Sequence, residues 1–212
     1  MTIRPARAGA QYFDTATRLT GALCRQFRSL GFEGAIRYVS RSIPEPAGDL
    51  THGELVAILD SGLSLMIVQH VAPAGWTPTP ELGVSYGNAA VSNARACGYE
   101  PTGTIWLDLE GVRGADAAAT IGYINNWARV VAGGGYSPGL YVGPGQPLNA
   151  HDLYWRLALR RYWRSAAFVP EVPVRGWQMR QSLPHTVAGI EIDSDVILAD
   201  ALGDVPSIMT KE

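Results

Sequence analysis

Lysine is almost missing from this sequence, Lys211 being the only one. The remaining basic residues are arginines scattered along the chain, and with a formal net charge of -2 there is no basic field for a nucleic-acid partner. Long apolar runs are missing too. No stretch reaches the roughly 18 residues that a membrane span needs. The opening MTIRPARAGAQYFDT carries Arg4 and Arg7 without a following apolar block of about 7 to 15 residues, so no secretory signal is visible. Two cysteines, Cys24 and Cys97, neither build a disulfide framework nor make a metal site, and in predicted helices they read as buried free thiols. His52, His70, His151 and His185 lie far apart without a His-x-His or His-Glu-x-x-His spacing. Neither a metal nor a cofactor is therefore expected.

What is present is 47% apolar residues in 212, enough to bury a full core in one globular domain spanning residues 1–212. The apolar residues recur as one repeated unit: a short strand, a loop, an amphipathic helix, and a glycine able to close the helix in the left-handed conformation. QYFDT precedes a helix over about residues 17 to 30, closed by Gly31. GAIRYVS precedes a loop with Pro44 and Pro46 and the helix of THGELVAILDSG, where Thr51 and Glu54 have capping-box spacing. LSLMIVQHV leads through a long loop with Trp76 to a helix over about 84 to 97. GTIWLDLEG leads to a helix from Asp116 to the glycines at 133–135, and PGLYVG to one over about 150 to 159. GPGQP, at 143–147, has no lysine and reads as a loop, not a phosphate cradle. Five such units imply right-handed crossovers and a parallel sheet.

The rhythm then changes. RYWRSA, RGWQMRQ and GIEIDSDV follow at short intervals, and Pro170, Pro173 and Pro184 in the gaps exclude helices. Eight strands with about five helices predict an α/β fold, a TIM-type barrel lacking its last crossover helices. The competing open doubly wound sheet would need a glycine-rich first turn, and YFDTATRLTG has none.

In TIWLDLEG, strand alternation turns Thr104, Trp106, Asp108 and Glu110 to one face and Ile105, Leu107 and Leu109 to the other. The aliphatic face suits the helix layer, so the two acids face the barrel axis at the strand's C-terminal end, where such barrels place their chemistry. Asp14 ends the first strand, and IEIDSDV turns Glu191, Asp193 and Asp195 inward. First and last strands are neighbours in a closed barrel, so Asp14 and Asp193 are expected about 5 Å apart. Crowded carboxylates cannot all ionise easily, and a proton-holding acid beside ionised ones is what glycosidic cleavage requires. Arg37 or Arg180, placed against these acids, would instead make them scaffold.

FDT, LDLE, GLYVG, GWQMRQ and IDSDV resemble, in order, the strand ends of glycoside hydrolase family 25 lysozymes. FDT, IRYVS, LTHGELVAILDSGLSL and YGNAAVSNARACGYEP are still more similar to the glycoside-hydrolase-like family known as domain of unknown function 1906. The lysozyme resemblance implies a barrel of eight strands and five helices. It implies Glu110 as general acid and Asp108, Asp14 and Asp193 as the other catalytic carboxylates, with Tyr141 and Gln178 lining the cleft. Gln69 and His70 stand where those lysozymes usually carry an aromatic and a histidine, and Asp195 replaces a common asparagine. Substrate contacts are expected from Arg37, Gln69, His70, Trp76, Tyr141, Trp163, Gln178 and Asp195, with Trp76 the best placed to stack on a sugar and Trp155 expected in the core. The implied function is muramidase-type cleavage of peptidoglycan by a monomer, at the bacterial cell envelope or after phage-type release. A non-catalytic glycan-binding or envelope protein, or a structural component of a phage or secretion particle, is the alternative.

Overall fold

The computed structural model describes residues 1–42 and 48–211. The loop expected around Pro44 and Pro46 lies outside the described residues. Eight strands close a barrel in the order β2 (Gln11–Thr15), β3 (Gly34–Val39), β4 (Ser64–Gln69), β5 (Thr104–Leu109), β6 (Ser137–Val142), β7 (Tyr162–Arg164), β8 (Met179–Gln181) and β10 (Ile190–Ile197). β2 through β8 pair in parallel, whereas β10 runs antiparallel to both β8 and β2 and closes the ring. The reversal follows from the short connection. A parallel return needs a crossover of a dozen residues or more, and the chain between Gln181 and Ile190 is instead folded into β9 (His185–Val187), a hairpin partner of β10. Ala188 and Gly189, both at positive φ, make the tight turn.

Among the described residues four α-helices cover the outside: α1 (Gly21–Ser29), α2 (His52–Asp60), α3 (Pro80–Cys97) and α4 (Ala117–Gly133). Their starts follow capping residues more closely than apolar periodicity. The Thr20 hydroxyl accepts from the Leu23 amide, so α1 begins later than residue 17. Thr79 caps α3 and Pro80 fits its first turn, so α3 begins before residue 84. The fifth helix shrinks to one π-helical turn, Asp152–Arg156, after which Leu157 is extended. Trp155 on this turn is 54% exposed, which corrects its expected place in the core.

Two apolar clusters divide the strand residues by parity. Phe13, Ala35, Ile67, Leu107 and Val142 pack under the helices. Tyr12, Ile36, Met66, Val68, Trp106, Tyr141, Trp163 and Met179 fill the barrel. Close packing inside demands glycine at 139, where a Cβ would lie 2.4 Å from the Trp106 ring. The sequence reading missed β1 (Thr2–Pro5) and β11 (Ser207–Thr210), an antiparallel pair at the lower end. Met209 pairs with Leu65, the Ser207 amide donates to Thr104 Oγ1, and Ile208 joins the interior cluster, so the end opposite the strand C-termini is plugged. Cys24 and Cys97 are both buried thiols and form no disulfide. Among the described residues no helix is long and apolar enough to cross a membrane.

Candidate active site

The strand C-termini open onto a cavity of about 160 Å³ lined by Tyr38, Val68, Asp108, Glu110, Tyr141, Trp163, Gln181 and Asp193. β5 delivers Asp108 into it, with Glu110 one step beyond on the same face. β2 and β10 bring Asp14 and Asp193 together as direct cross-strand partners. Gln181 of β8 ties these two: its Nε2 donates to Asp14 Oδ2 at 2.9 Å and to Asp193 Oδ2 at 3.2 Å. Its carbonyl oxygen accepts from the Tyr141 hydroxyl at 2.8 Å, and the Tyr38 hydroxyl donates to Asp14 Oδ1 at 3.0 Å. Below them Asp195 is fully buried, with Oδ1 accepting from Trp163 Nε1 at 2.8 Å.

No arginine, lysine or histidine among the described residues forms an ion pair with any of these five acids. Electrostatics follow directly. Burial, reinforced by Glu110 and Asp14, holds Asp108 well above the usual carboxylate range. Burial beneath Asp14 does the same to Asp195. Asp14 is pushed up to about 6 by burial and by Asp193, against the hydrogen bonds from Gln181 and Tyr38. Half-buried Glu110 is raised by desolvation and then by Asp193. Asp193 is raised by desolvation and by Glu191.

A raised carboxyl pKa means that the folded state holds a proton the unfolded chain has lost. Stability from Asp14 is therefore full below its ordinary 3.8 and declines as pH rises to about 6. Two units correspond to about 3 kcal/mol. Asp14→Asn keeps an acceptor for Gln181, and Tyr38 can turn its hydroxyl to accept. We expect urea unfolding to find the variant close to the parent at pH 4 and more stable, by up to about 3 kcal/mol, at pH 7.5. Equal effects at both pH values would show that the Asp14 charge is not under strain.

Glu110 owes its position to its surroundings. Trp76 Nε1 donates to the Glu110 carbonyl at 2.9 Å, and Trp76 pairs with Val112 in a parallel bridge, so the backbone beyond β5 is held. Just beyond β6, residue 143 is glycine where a Cβ would stand 2.5 Å from Glu110 Cβ and 2.8 Å from its Oε2.

Around this cavity lie three more depressions that share walls with it or with one another. One of about 390 Å³ reaches from Glu110 to Val71, Ala72 and Ala74. A second, of about 540 Å³, continues from those residues to Ser40, Arg41, Asp49 and His70. A third, of about 180 Å³, is lined by Asp14, Thr15, Ala16, Tyr38, Glu191 and Asp193. Together they make an extended mouth around the strand C-termini.

A family model described as "Rv2525c-like, glycoside hydrolase-like domain" matches residues 25–196. The chain belongs to this family. It is similar in fold to the Mycobacterium tuberculosis Tat-secreted protein Rv2525c, with 19% identity over 92% of this chain and 98% of that one and a TM-score of 0.68. A family 25 glycosyl hydrolase from Bacillus anthracis matches with 12% identity over 92% and 91% of the two chains and a TM-score of 0.61. The modular autolysin LytC of Streptococcus pneumoniae, solved with a synthetic peptidoglycan ligand, matches with 12% identity over 88% of this chain and 46% of that one, TM-score 0.62. No curated protein matches the sequence.

Asp108, Glu110, Asp193, Tyr141 and Trp163 thus meet at one cavity, with Asp14 lining the adjoining depression and bonded to Gln181 and Tyr38 of the cavity wall, Asp195 buried below and His70 in a further depression. Five expected contacts do not reach the cleft, the first being Asp195, which is buried beneath it. Arg37 faces outward from β3 and is completely buried, pairing through Nε with Glu54 Oε1 at 2.7 Å. Gln69 also faces outward, donating to the Ser40 and Tyr86 carbonyls and accepting from Trp127 Nε1. Trp76 packs edge-on against Tyr123 with ring centroids 5.2 Å apart, and it holds the Glu110 backbone instead of offering a sugar platform. Gln178 sits just before the start of β8, bonded to Asp200 Oδ2 at 2.8 Å. Arg180 is exposed and leaves the acids alone. The sequence reading missed Gln181, Gly143 and Arg41. Extending the alternation of RGWQMRQ from Met179, an interior residue, reaches Gln181.

Proposed function

We propose that this chain, acting as a single-domain monomer, hydrolyses a glycosidic bond in a bacterial cell-wall glycan, with Glu110 as general acid. The observation that carries this is a half-buried acid, without an ion-pair partner among the described residues, whose affinity for its proton is raised and which shares a cavity with the carboxylates of Asp108 and Asp193. Glu110 delivers its proton to the leaving sugar oxygen. Positive charge then developing at the anomeric carbon is stabilised by the carboxylates of Asp14 and Asp193, which Gln181 holds in place. A water completes the reaction, its hydroxyl going to the anomeric carbon and its proton restoring Glu110. Every group involved comes from one chain. The polymeric substrate is supported by the extended mouth, and the cell-wall assignment by likeness to a family 25 hydrolase and to an autolysin solved with a peptidoglycan ligand.

Digestion of purified peptidoglycan followed by mass spectrometry tests this reading. New reducing ends at N-acetylmuramic acid are expected. Intact strands after prolonged incubation between pH 4 and 8 would instead favour a protein that binds the glycan without cleaving it. The space left by Gly143 supplies a second check. Gly143→Ala meets Glu110 at its Cβ, which no rotamer change relieves, so the Glu110 segment must shift; kcat should fall by about 10²-fold, because misplacement on the order of 1 Å has that effect on catalysis, with a moderate fall in melting temperature beside it. Unaltered turnover would show that Glu110 acts from another rotamer or not at all.

A further inference from the structure

The mouth is acidic on the side of β2, β5 and β10, and it contains one departure from that pattern. Of the described residues lining the four depressions, Arg41 is the only arginine or lysine. It has no carboxylate partner among the described residues. Its guanidinium lies 5.4 Å from the centre of the Tyr86 ring, and Nη1 donates to the Tyr86 hydroxyl at 3.3 Å. The backbone on both sides of it is clamped from within. Buried Asn93 of α3 donates to the Ser40 carbonyl at 3.1 Å and to the Ser42 carbonyl at 2.9 Å, while Gln69 donates to the Ser40 carbonyl at 3.0 Å. Gln69 also donates to the Tyr86 carbonyl at 2.8 Å, so one buried amide anchors both the segment bearing Arg41 and the residue beneath its guanidinium. Across the depression His70 Nε2 meets Asp49 Oδ1 at 2.8 Å, and the His70 ring stacks on Tyr38, whose hydroxyl bonds to Asp14.

We propose that this depression is a specificity subsite for a carboxylate on the substrate, held by Arg41 beside His70, and that it sets which way the glycan lies across Glu110. The inference rests on the glycan reading above. An anionic substituent placed over Asp14, Asp193 or Glu191 meets like charge. The same substituent at Arg41 meets a cation that is already oriented and partly shielded from water, where a charge-assisted hydrogen bond is strongest, and the carboxylate of that depression, Asp49, lies across it engaged by His70. Apolar Val71, Ala72 and Ala74 form the wall between Arg41 and Glu110, so an uncharged part of the same ligand spans the distance. A glycan that alternates carboxylate-bearing and neutral sugars is therefore bound in one register and cleaved at one of its two linkages.

Calorimetric titration of Glu110→Gln protein, with and without Arg41→Ala, tests this with two probes. One is a tetrasaccharide alternating N-acetylglucosamine with N-acetylmuramic acid, which carries free lactyl carboxylates. The other is neutral chitotetraose. Removal of Arg41 should weaken the first about 10- to 100-fold, the range of a hydrogen bond to a charged group, and leave the second within about twofold. Arg41→Lys should keep much of the preference and so distinguish charge from loss of shape. Equal weakening of both probes, or weakening of neither, would overturn the subsite. If the parent bound neither probe, the glycan reading itself would fall and the subsite with it.

Discussion

Replacing Glu110 by glutamine is expected to abolish hydrolysis while leaving a folded, glycan-binding protein. The amide keeps the size and most of the polarity of the acid but has no proton to give, and general acid catalysis contributes about 10² to 10⁴-fold. The fold should tolerate the change, since the Glu110 side chain makes no hydrogen bond or ion pair with a described residue, and its backbone is held independently through Trp76. Removing one negative charge beside Asp193 also relieves repulsion, so stability at neutral pH should hold or rise slightly. Release of soluble fragments from labelled peptidoglycan measures the first effect, and thermal unfolding the second. Activity within a few-fold of the parent would reassign the proton donor. An unfolded variant would mean that Glu110 has a structural partner after all.

The largest loss of stability should come from a residue that the sequence suggested for the cleft. Arg37 donates to Glu54 Oε1, to the Thr15 carbonyl and to the Gly48 carbonyl, and neither side chain of the ion pair is exposed. Glu54 Oε1 additionally accepts from the Leu19 amide at 2.7 Å. The pair therefore fastens the loop after β2 and the segment at Gly48, both of which border the mouth, to helix α2. Arg37→Leu strands Glu54 as an uncompensated buried charge, which costs about 3 to 5 kcal/mol. For a domain of this size the melting temperature should fall by roughly 6 to 20 °C. The double variant Arg37→Leu/Glu54→Leu should recover a large part, because two apolar side chains replace the pair without leaving a charge behind. A single-variant loss below about 1 kcal/mol would contradict the buried pairing.

The sequence by itself determined the barrel and the placement of its central acids. Alternation in IWLDLE is unambiguous because one parity is wholly aliphatic, and the helix layer claims that face, leaving Asp108 and Glu110 for the interior. The same logic brought Asp14 and Asp193 together, since closing a barrel makes its first and last strands neighbours. Where both parities are mixed, the pattern was silent. In GAIRYV, Ala35, Arg37 and Val39 share one face and Ile36 and Tyr38 the other, so nothing local says which goes inside. A buried Glu54 on α2, far from Arg37 in character but adjacent in space, decided it. β8 has only three residues, so a shift of one exchanges its faces, and the fit of Met179 into the interior selected Gln181 over Gln178 for the site. Trp76 and Arg41 stand in loops, where no period exists to be read. Their roles depend on partners that only the closed barrel brings near, the Glu110 carbonyl for one and the Tyr86 ring for the other. Local periodicity reports which face a side chain takes. Which charge finds a counter-ion, and which is left for a ligand, depends on long-range packing.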